Sequence, residues 1–481
     1  MESLRHRDPD KLNLMNRILL RAPRDPFTPI SPELGLALYD RGFWGRNAGN
    51  LVFTDAMHKL LSTPDAQITP NSFLSERPGI NQGYIDRINE QFDVFVVPLA
   101  NAFRKKFVGN LKRLTQVIEG LKIPVVVVGV GVEGGVRSLD DPFPSPEGEL
   151  REAVIAFVRA VLERSASIGV RGEFTQAYLA ELGFGDEVID VVGCPSLFRY
   201  GPDLKIEKRS PGLTADSRFT INITPYVPYM GRASVRHAQK YPNLIYVPQG
   251  DDSLELMMWG LEPETIKNRD LPVHRDHPLY AENRMRFFVD TVTWMDFLRE
   301  QEFSFGSRIH GNIAALSAGT PAYVLAHDSR TLELARYHEI PHTRVPDLPK
   351  DVDAADLYAE ADYGAFNSGH AARWGVFADF LKRNDIEHIF LPGKENLDYE
   401  QRLREVPMPA AVQTLNATDP NERRRIAERT ALVYRHGGLK GLKRDFKPDI
   451  PFPLTLPGAL VRRPNSVRAV LGRVRRRLRR R

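Results

Sequence analysis

Arg308 and His310 stand two residues apart, directly after a short apolar run and a Gly-Ser pair. The surrounding stretch, residues 303–328, reads FSFGSRIHGNIAALSAGTPAYVLAHD. Phe303 and Phe305 predict a strand, Gly319-Thr320-Pro321 ends a helix, and residues 322–326 predict a second strand. A helix start offers free N–H groups and a positive dipole end, so it attracts anions. Arg308 adds a fixed cation and His310 a group that exchanges protons near neutrality. Ser307 belongs to the same turn. The ligand chemistry implied is a small phosphorylated or carboxylated molecule. On a regular helix the two side chains would point about 200° apart. Both reach one ligand only if the first turn is irregular. The bland alternatives are a histidine bonded to backbone and an arginine paired with a nearby acid.

Other candidates share a position at the end of an apolar run. Arg171 follows the strand expected at 167–170, and Asn101 follows the one expected at 93–97. Such positions face the cleft of a parallel sheet. Asn47, Gly49 and Asn50 precede a helix expected at 51–61, where they bind an anion or sugar or simply cap the helix. Asp328 and Arg330 follow the strand at 322–326, and capping alone explains Asp328. The loop Gly129-Val-Gly131-Val-Glu-Gly134 matches GxGxxG. However, Asp140-Asp141-Pro142-Phe-Pro144 follows at once and cannot open the required phosphate-binding helix. Gly131 is therefore read as part of a strand-end loop that touches a ligand, outside any dinucleotide fold. Cys194 reads as a small buried thiol. His274 and His277 lack further ligand spacing, so no metal is expected.

The elements that position these groups alternate. Fully apolar strands at 93–97, 124–128, 167–170 and 188–192 are separated by helices at 111–121, 149–163 and 174–182. A second series of strands follows at 219–223, 244–247, 303–305 and 322–325, with helices near 254–261, 282–299 and 373–381. Apolar strands separated by helices mean a parallel sheet covered on both faces. The expected division is an extension over 1–40, an α/β domain over 41–205, a linker over 206–217 and a second α/β domain over 218–400. A helical segment over 401–446 and a Pro-rich linker with a basic tail over 447–481 complete it. Two α/β units place the ligand between them.

Bulk properties narrow the class. At 481 residues the chain exceeds one ordinary core. One cysteine excludes an internal disulfide framework and fits a reducing compartment. No signal peptide or membrane-length apolar run is evident, so a cytoplasmic protein is expected. The net charge of +5, less the ten arginines of residues 462–481, leaves −5 for the rest. An acidic body argues against nucleic acid as a partner, and the basic tail asks for a local anionic one. Val467, Leu471, Val474 and Leu478 form one apolar stripe among those arginines, which suits an anionic membrane surface.

Taken together, Gly306-Ser307-Arg308-Ile-His310-Gly311, Ala314-Ala315-Leu316 with Gly319-Thr-Pro321, and His327-Asp328-Ser-Arg330 resemble the polysaccharide pyruvyl transferase family. Residues 168–183 and the Asn47-Ala-Gly49-Asn50 loop resemble two further blocks. Gly193-Cys194-Pro195-Ser196 departs from the Asp-Pro pair common there. The resemblance spans roughly residues 40–345. It implies two facing Rossmann-like domains, as in GT-B glycosyltransferases, and transfer of the pyruvyl unit of phosphoenolpyruvate onto a sugar as a cyclic ketal. It implies Arg308 and His310 as the donor-site pair and Arg171 as a further essential cation. It implies no cofactor besides the donor substrate. Its acceptors belong to exopolysaccharide assembly and are often lipid-linked, which would set the protein on the inner membrane face. A nucleotide-sugar glycosyltransferase, or a non-catalytic carbohydrate-binding or assembly protein of the same architecture, stays open at this point.

Overall fold

The computed structural model describes residues 16–37, 43–135, 148–438 and 441. Eleven strands are present in these residues: β1 Asn16–Leu20, β2 Ala66–Pro70, β3 Val94–Pro98, β4 Val125–Val128, β5 Ile168–Val170, β6 Ile189–Val191, β7 Phe219–Asn222, β8 Ile245–Tyr246, β9 Phe303–Gly306, β10 Ala322–Ala326 and β11 His342–Arg344. They form two parallel systems. The first has the order β2-β1-β3-β4, extended toward the β5-β6 pair by a parallel bridge between Val130 and Val170. The second has the order β11-β10-β9-β7-β8. Numbered within each half, the first runs 2-1-3-4-5-6 and the second 2-1-3-4-5, the flavodoxin-like doubly wound order.

The reason these segments form strands is burial on both faces. All four valines of β4 and every residue of β3, β7, β9 and β10 are buried. Each fully buried aliphatic side chain contributes roughly 1.5–3 kcal/mol. The helices between strands carry one apolar stripe, as in Val108–Gly120, where Leu111, Leu114, Val117 and Ile118 face inward.

Three stretches differ from the sequence expectation. Residues 16–20 were expected in an extension, yet β1 is an inner strand between β2 and β3. Five residues of mixed character gave no period to read. The helix expected over 282–299 is helical only at Thr291–Arg299. Asn283 has a φ of 54°, and the Asp290 carboxylate caps the true start by accepting from Thr293 N–H at 2.8 Å. The long helix Gly364–Arg383 follows the second sheet but covers the first. Its Trp374, Phe377 and Phe380 pack with Ile18, Leu20, Val94, Val96 and Val126. The tail at 462–481 and residues 136–147 lie outside the described residues.

Gly306 sets the geometry of the second sheet's central turn. Its φ is +141°, and a Cβ there would meet the Asn222 carbonyl oxygen at 1.9 Å. Only glycine lets β9 pass this close to β7 before turning into Ser307 and Arg308. Gly306→Ala should therefore destabilise the protein by about 3 kcal/mol or more. Urea denaturation of the full chain measures this, and an unchanged midpoint would contradict the argument.

Candidate active site between the two sheets

Both parallel sheets direct their C-terminal strand ends at each other. Asn101 and Arg104 follow β3, the 129–135 loop follows β4, Arg171 follows β5, and Cys194 follows β6. Opposite them, Tyr226 follows β7, Gln249 follows β8, Arg308 follows β9, and His327 and Asp328 follow β10. The halves touch through these loops. Gly134 N–H donates to Ser329 Oγ at 2.8 Å, Ala48 N–H donates to the Gln249 carbonyl at 2.9 Å, and Gly135 bridges Asp328. Residues 173–181 start a helix whose Thr175 N–H donates to the Glu333 carboxylate of the other half at 2.7 Å.

Arg308 lies before the Ile309–Ser317 helix, not within it. Its backbone is extended, with φ −94° and ψ 105°. Its N–H donates to Asn222 Oδ1 at 2.8 Å and its Nε to the Ile223 carbonyl at 3.2 Å. This is the switch point of the second sheet, between β7 and β9, where doubly wound folds bind ligands. Its guanidinium is half-buried and faces Tyr246, Tyr226, Arg330 and Asp251. The equivalent point of the first sheet is closed: Arg21, after β1, is buried and paired with Glu76.

His310 turns elsewhere. The imidazole is 8% exposed, lies tilted against Phe53 with ring centroids 5.4 Å apart, and brings Nε2 to 3.8 Å from Cys194 Sγ. Burial, then the charge of Arg171, pushes its pKa down to about 3. The ring is therefore neutral. Arg308 and His310 share no hydrogen-bond partner. The first turn is irregular, as the shared-ligand reading requires, but the two side chains leave it toward different walls. The thiol of Cys194 is buried, and burial raises its pKa.

Arg171 is 3% exposed. Its Nη2 donates to the Ala100 carbonyl, and its Nε is buried with no partner. A Cβ at Gly131 would come within 2.6 Å of its Cδ and Nε, so the GxGxxG loop serves as a close wall for a cation. Glu333 is the carboxylate that most offsets its charge. Burial holds that carboxyl up to about 7, against Arg171 and the two hydrogen bonds from Thr175.

Other expected residues serve structure first. Ser307 Oγ accepts from Thr224 N–H at 2.9 Å and locks β7 to β9. Asn47 Oδ1 accepts from Gly49 N–H at 2.9 Å, and Asn50 Nδ2 donates to the Trp44 carbonyl, so this loop shapes the start of the Gly49–Leu61 helix. Gly49 leaves room for Gln249 and for His310, whose Cβ would lie 3.0 Å from an added Cβ. Asp328 caps the Ser329–Tyr337 helix through a reciprocal bond pattern with Thr331, and also pairs with Arg330. Arg330 reaches Glu133 of the other half at 3.6 Å. Asn101, with its amide oxygen turned to the arginines, accepts from Arg104 Nη1 at 3.1 Å and from Arg330. His274 and His277 are engaged by Glu262 and Ser234, at 3.2 and 3.0 Å.

Sequence reasoning missed Arg104, Tyr226, Gln249 and Glu333. Gln249 is 2% exposed, lies between Gly49 and Gly311, and has neither amide atom partnered. His327 brings Nε2 to 3.3 Å from Asp328 and 3.5 Å from the Tyr226 hydroxyl. Arg104 reads as part of an Arg-Lys-Lys surface run, and the other three carry no local pattern. Their common signal is position, at or just beyond a strand end or facing one.

The neutrality of His310 predicts an acid limb. The unfolded chain protonates this side chain near its ordinary value of 6.5, while the native state resists until about 3. Stability from this group is full above 6.5 and is lost as pH falls through that window. Its share of the slope is about 1.4 kcal/mol per pH unit. Urea titrations of wild type and His310→Gln between pH 7 and about 4 should differ by that slope, and parallel curves would contradict a neutral buried imidazole.

The family model described as polysaccharide pyruvyl transferase matches residues 47–329. No match was found among curated proteins. Among solved structures, the chain is similar to UDP-GlcNAc 2-epimerase from Neisseria meningitidis bound to UDP-GlcNAc, with 12% identity, 76% of this chain and 99% of that one covered, and a TM-score of 0.38. It is similar to the Methanocaldococcus jannaschii UDP-GlcNAc 2-epimerase in complex with UDP-GlcNAc and UDP at 13% identity, 76% and 99% coverage, and a TM-score of 0.39. An uncharacterised protein of Klebsiella pneumoniae matches at 14% identity over 68% of this chain and 89% of that one, with a TM-score of 0.35.

Proposed function

The chain belongs to the polysaccharide pyruvyl transferase family, and from that premise we propose that it moves the pyruvyl unit of phosphoenolpyruvate onto two hydroxyls of a saccharide as a cyclic ketal, with release of phosphate. One observation carries this reading. Four guanidiniums, Arg104, Arg171, Arg308 and Arg330, gather at the strand ends of both sheets, Arg104 and Arg308 without an ion pair among the described residues, and a neutral histidine feels the charge of the most buried one, Arg171. Phosphoenolpyruvate brings a carboxylate and a phosphate, and guanidiniums suit both through forked hydrogen bonding.

The chemistry needs proton movement more than covalent help from the protein. A proton adds to the methylene carbon, which leaves an oxocarbenium-like centre at the adjacent carbon. A sugar hydroxyl attacks that centre and gives up its proton. The carbon–oxygen bond to phosphate then breaks, phosphate leaves with the electron pair, and the second hydroxyl closes the ring with loss of its proton. Two protons are released by the sugar; one replaces that taken up by the methylene carbon and the other goes to phosphate. Arg171 and Arg308 hold the donor's anionic groups. The imidazole of His310, neutral by burial, enters this cycle first as an acceptor. It takes a hydroxyl proton and returns it once charged. His327, between Asp328 and Tyr226, is the second group placed for proton transfer. One positioned acid or base contributes roughly 10²–10⁴-fold.

The basic tail at 462–481 supports an anionic membrane as a further partner, with lipid-linked acceptors at the inner face. No helix of the described residues is long and apolar enough to cross a membrane.

Incubation with phosphoenolpyruvate and a panel of lipid-linked and simple glycosides tests the reading, with phosphate release and product mass as readouts. Pyruvylated glycoside with equal phosphate is expected. Hydrolysis of a nucleotide sugar in its place would favour a glycosyltransferase. His310→Ala should lose turnover by roughly 10²-fold or more while phosphoenolpyruvate still binds, and full turnover in that variant would remove His310 from the mechanism. Full-length protein should co-sediment with anionic liposomes more strongly than residues 1–461; equal binding would exclude the tail as the anchor.

A further inference from the structure

Three guanidiniums, from both halves of the molecule, converge at the mouth of the cleft. One of them, Arg104, has no task in the reaction above. It is half-buried, its Nε is enclosed without a partner, and its Nη1 donates to Asn101 Oδ1 at 3.1 Å. Arg330 donates to the same amide oxygen. Among the described residues no carboxylate forms an ion pair with Arg104 or with Arg308.

The groups that face Arg104 are Arg330, Glu133 and Tyr226, and those that face Arg308 include the same Arg330 and Tyr226. Arg330 is itself engaged by Asp328 and, at 3.6 Å, by Glu133. Asp328 is already committed as a helix cap. Asp251 also faces Arg308, so three carboxylates surround the three cations, yet among the described residues only Arg330 is ion-paired with any of them, and Arg104 and Arg308 keep unpaired charge beside it. The arrangement is built, not loose. Phe103 bridges Val132, and Glu133 N–H donates to the Phe103 carbonyl at 3.0 Å, so the loop carrying Arg104 is pinned to the loop after β4. Tyr226, 67% exposed, leaves the site open to solvent.

We propose that Arg104 is an anion-binding residue that, with Arg308 and Arg330, forms a subsite for a phosphate dianion bridging the two halves of the protein. Under the transfer reading its occupant is the donor's phosphate group; only that identity rests on the reading. Free inorganic phosphate carries the same chemistry and serves as the probe.

Calorimetric titration of the full chain with inorganic phosphate, phosphoenolpyruvate and pyruvate tests the assignment. Arg104→Gln should raise the Kd for phosphate and for phosphoenolpyruvate at least tenfold, roughly the loss of one charge-assisted contact. Pyruvate binding should stay within about twofold. The melting temperature of the ligand-free variant should hold or rise, because a like-charge contact is relieved; Arg104→Lys should restore part of the phosphate affinity. Equal phosphate affinity in wild type and Arg104→Gln would overturn the proposal, as would an equal loss of pyruvate binding or no phosphate binding by wild type. Phosphate binding that depends on Arg104, in a protein that transfers no pyruvyl group, would uphold the subsite and refute only the transfer reading.

Discussion

Burying the charge of Arg171 is the constraint around which the rest of this structure is arranged. A guanidinium at 3% exposure must find partners, because its desolvation costs several kcal/mol. One is the Ala100 carbonyl at the end of β3. Another is the field of Glu333, which arrives from the opposite half and also caps Thr175 on the helix behind Arg171. Gly172 exists to admit that carboxylate, since an added Cβ would lie 2.3 Å from Glu333 Cγ. Gly131 exists to admit the guanidinium. Two glycines, one carbonyl and one distant acid are thus bound to a single cation. The compensation is partial, for Nε has no partner. A buried cation in this condition suits an anionic ligand, which is what the proposed transfer supplies.

The two sheets share one strand order but use it differently. Each opens a crevice where the order reverses, between its first and third strands. In the first half the crevice is filled from within, by the buried Arg21–Glu76 pair and the bond from Arg21 to the Pro98 carbonyl at 2.8 Å. In the second half Asn222 and Ile223 hold Arg308 at the crevice, and among the described residues no acid forms an ion pair with it. The first sheet contributes its chemistry instead from β3 to β6, through Asn101, Arg104, Arg171 and Cys194. The return of the Gly364–Arg383 helix onto the first sheet fixes one half on the other. The strand-end loops therefore meet on a rigid frame, which is what precise positioning of a small substrate requires.

What the sequence revealed follows from how each feature is encoded. Apolar strands such as β3, β4 and β10 carry their own burial, and the Asp328 cap is written in four consecutive residues. These were legible. The strand β1 was not, because three of its five residues are buried by contacts with partners far along the chain. The helix at Gly364–Arg383 shows its apolar stripe, but a stripe does not say which sheet it covers. The site divides in the same way. Arg308, His310 and Arg171 stand in local turn patterns. Glu333 and Gln249 acquire meaning only through a neighbour more than a hundred residues away, and Ser307 looked like a ligand group because its bond to Thr224, 83 residues away, is remote too. Among the candidate residues, those fixed by local backbone were readable, and those fixed by contact between the halves were not.

Those contacts also determine what His310 can do. Its ring has a thiol at 3.8 Å, an aromatic ring at 5.4 Å and the charge of Arg171 nearby. None of these favours imidazolium, and Cys194 is itself held protonated by burial. A carboxylate in the place of Cys194 would have kept the ring charged whether or not the site was filled. With a thiol there, the proton affinity of His310 depends on what lies beside Arg171. An anion bound there offsets the repulsion and raises the imidazole pKa. Under the proposed transfer, the histidine becomes basic enough to hold a proton once the donor lies beside Arg171. Proton transfer is then tied to donor binding by electrostatics alone, without a moving part.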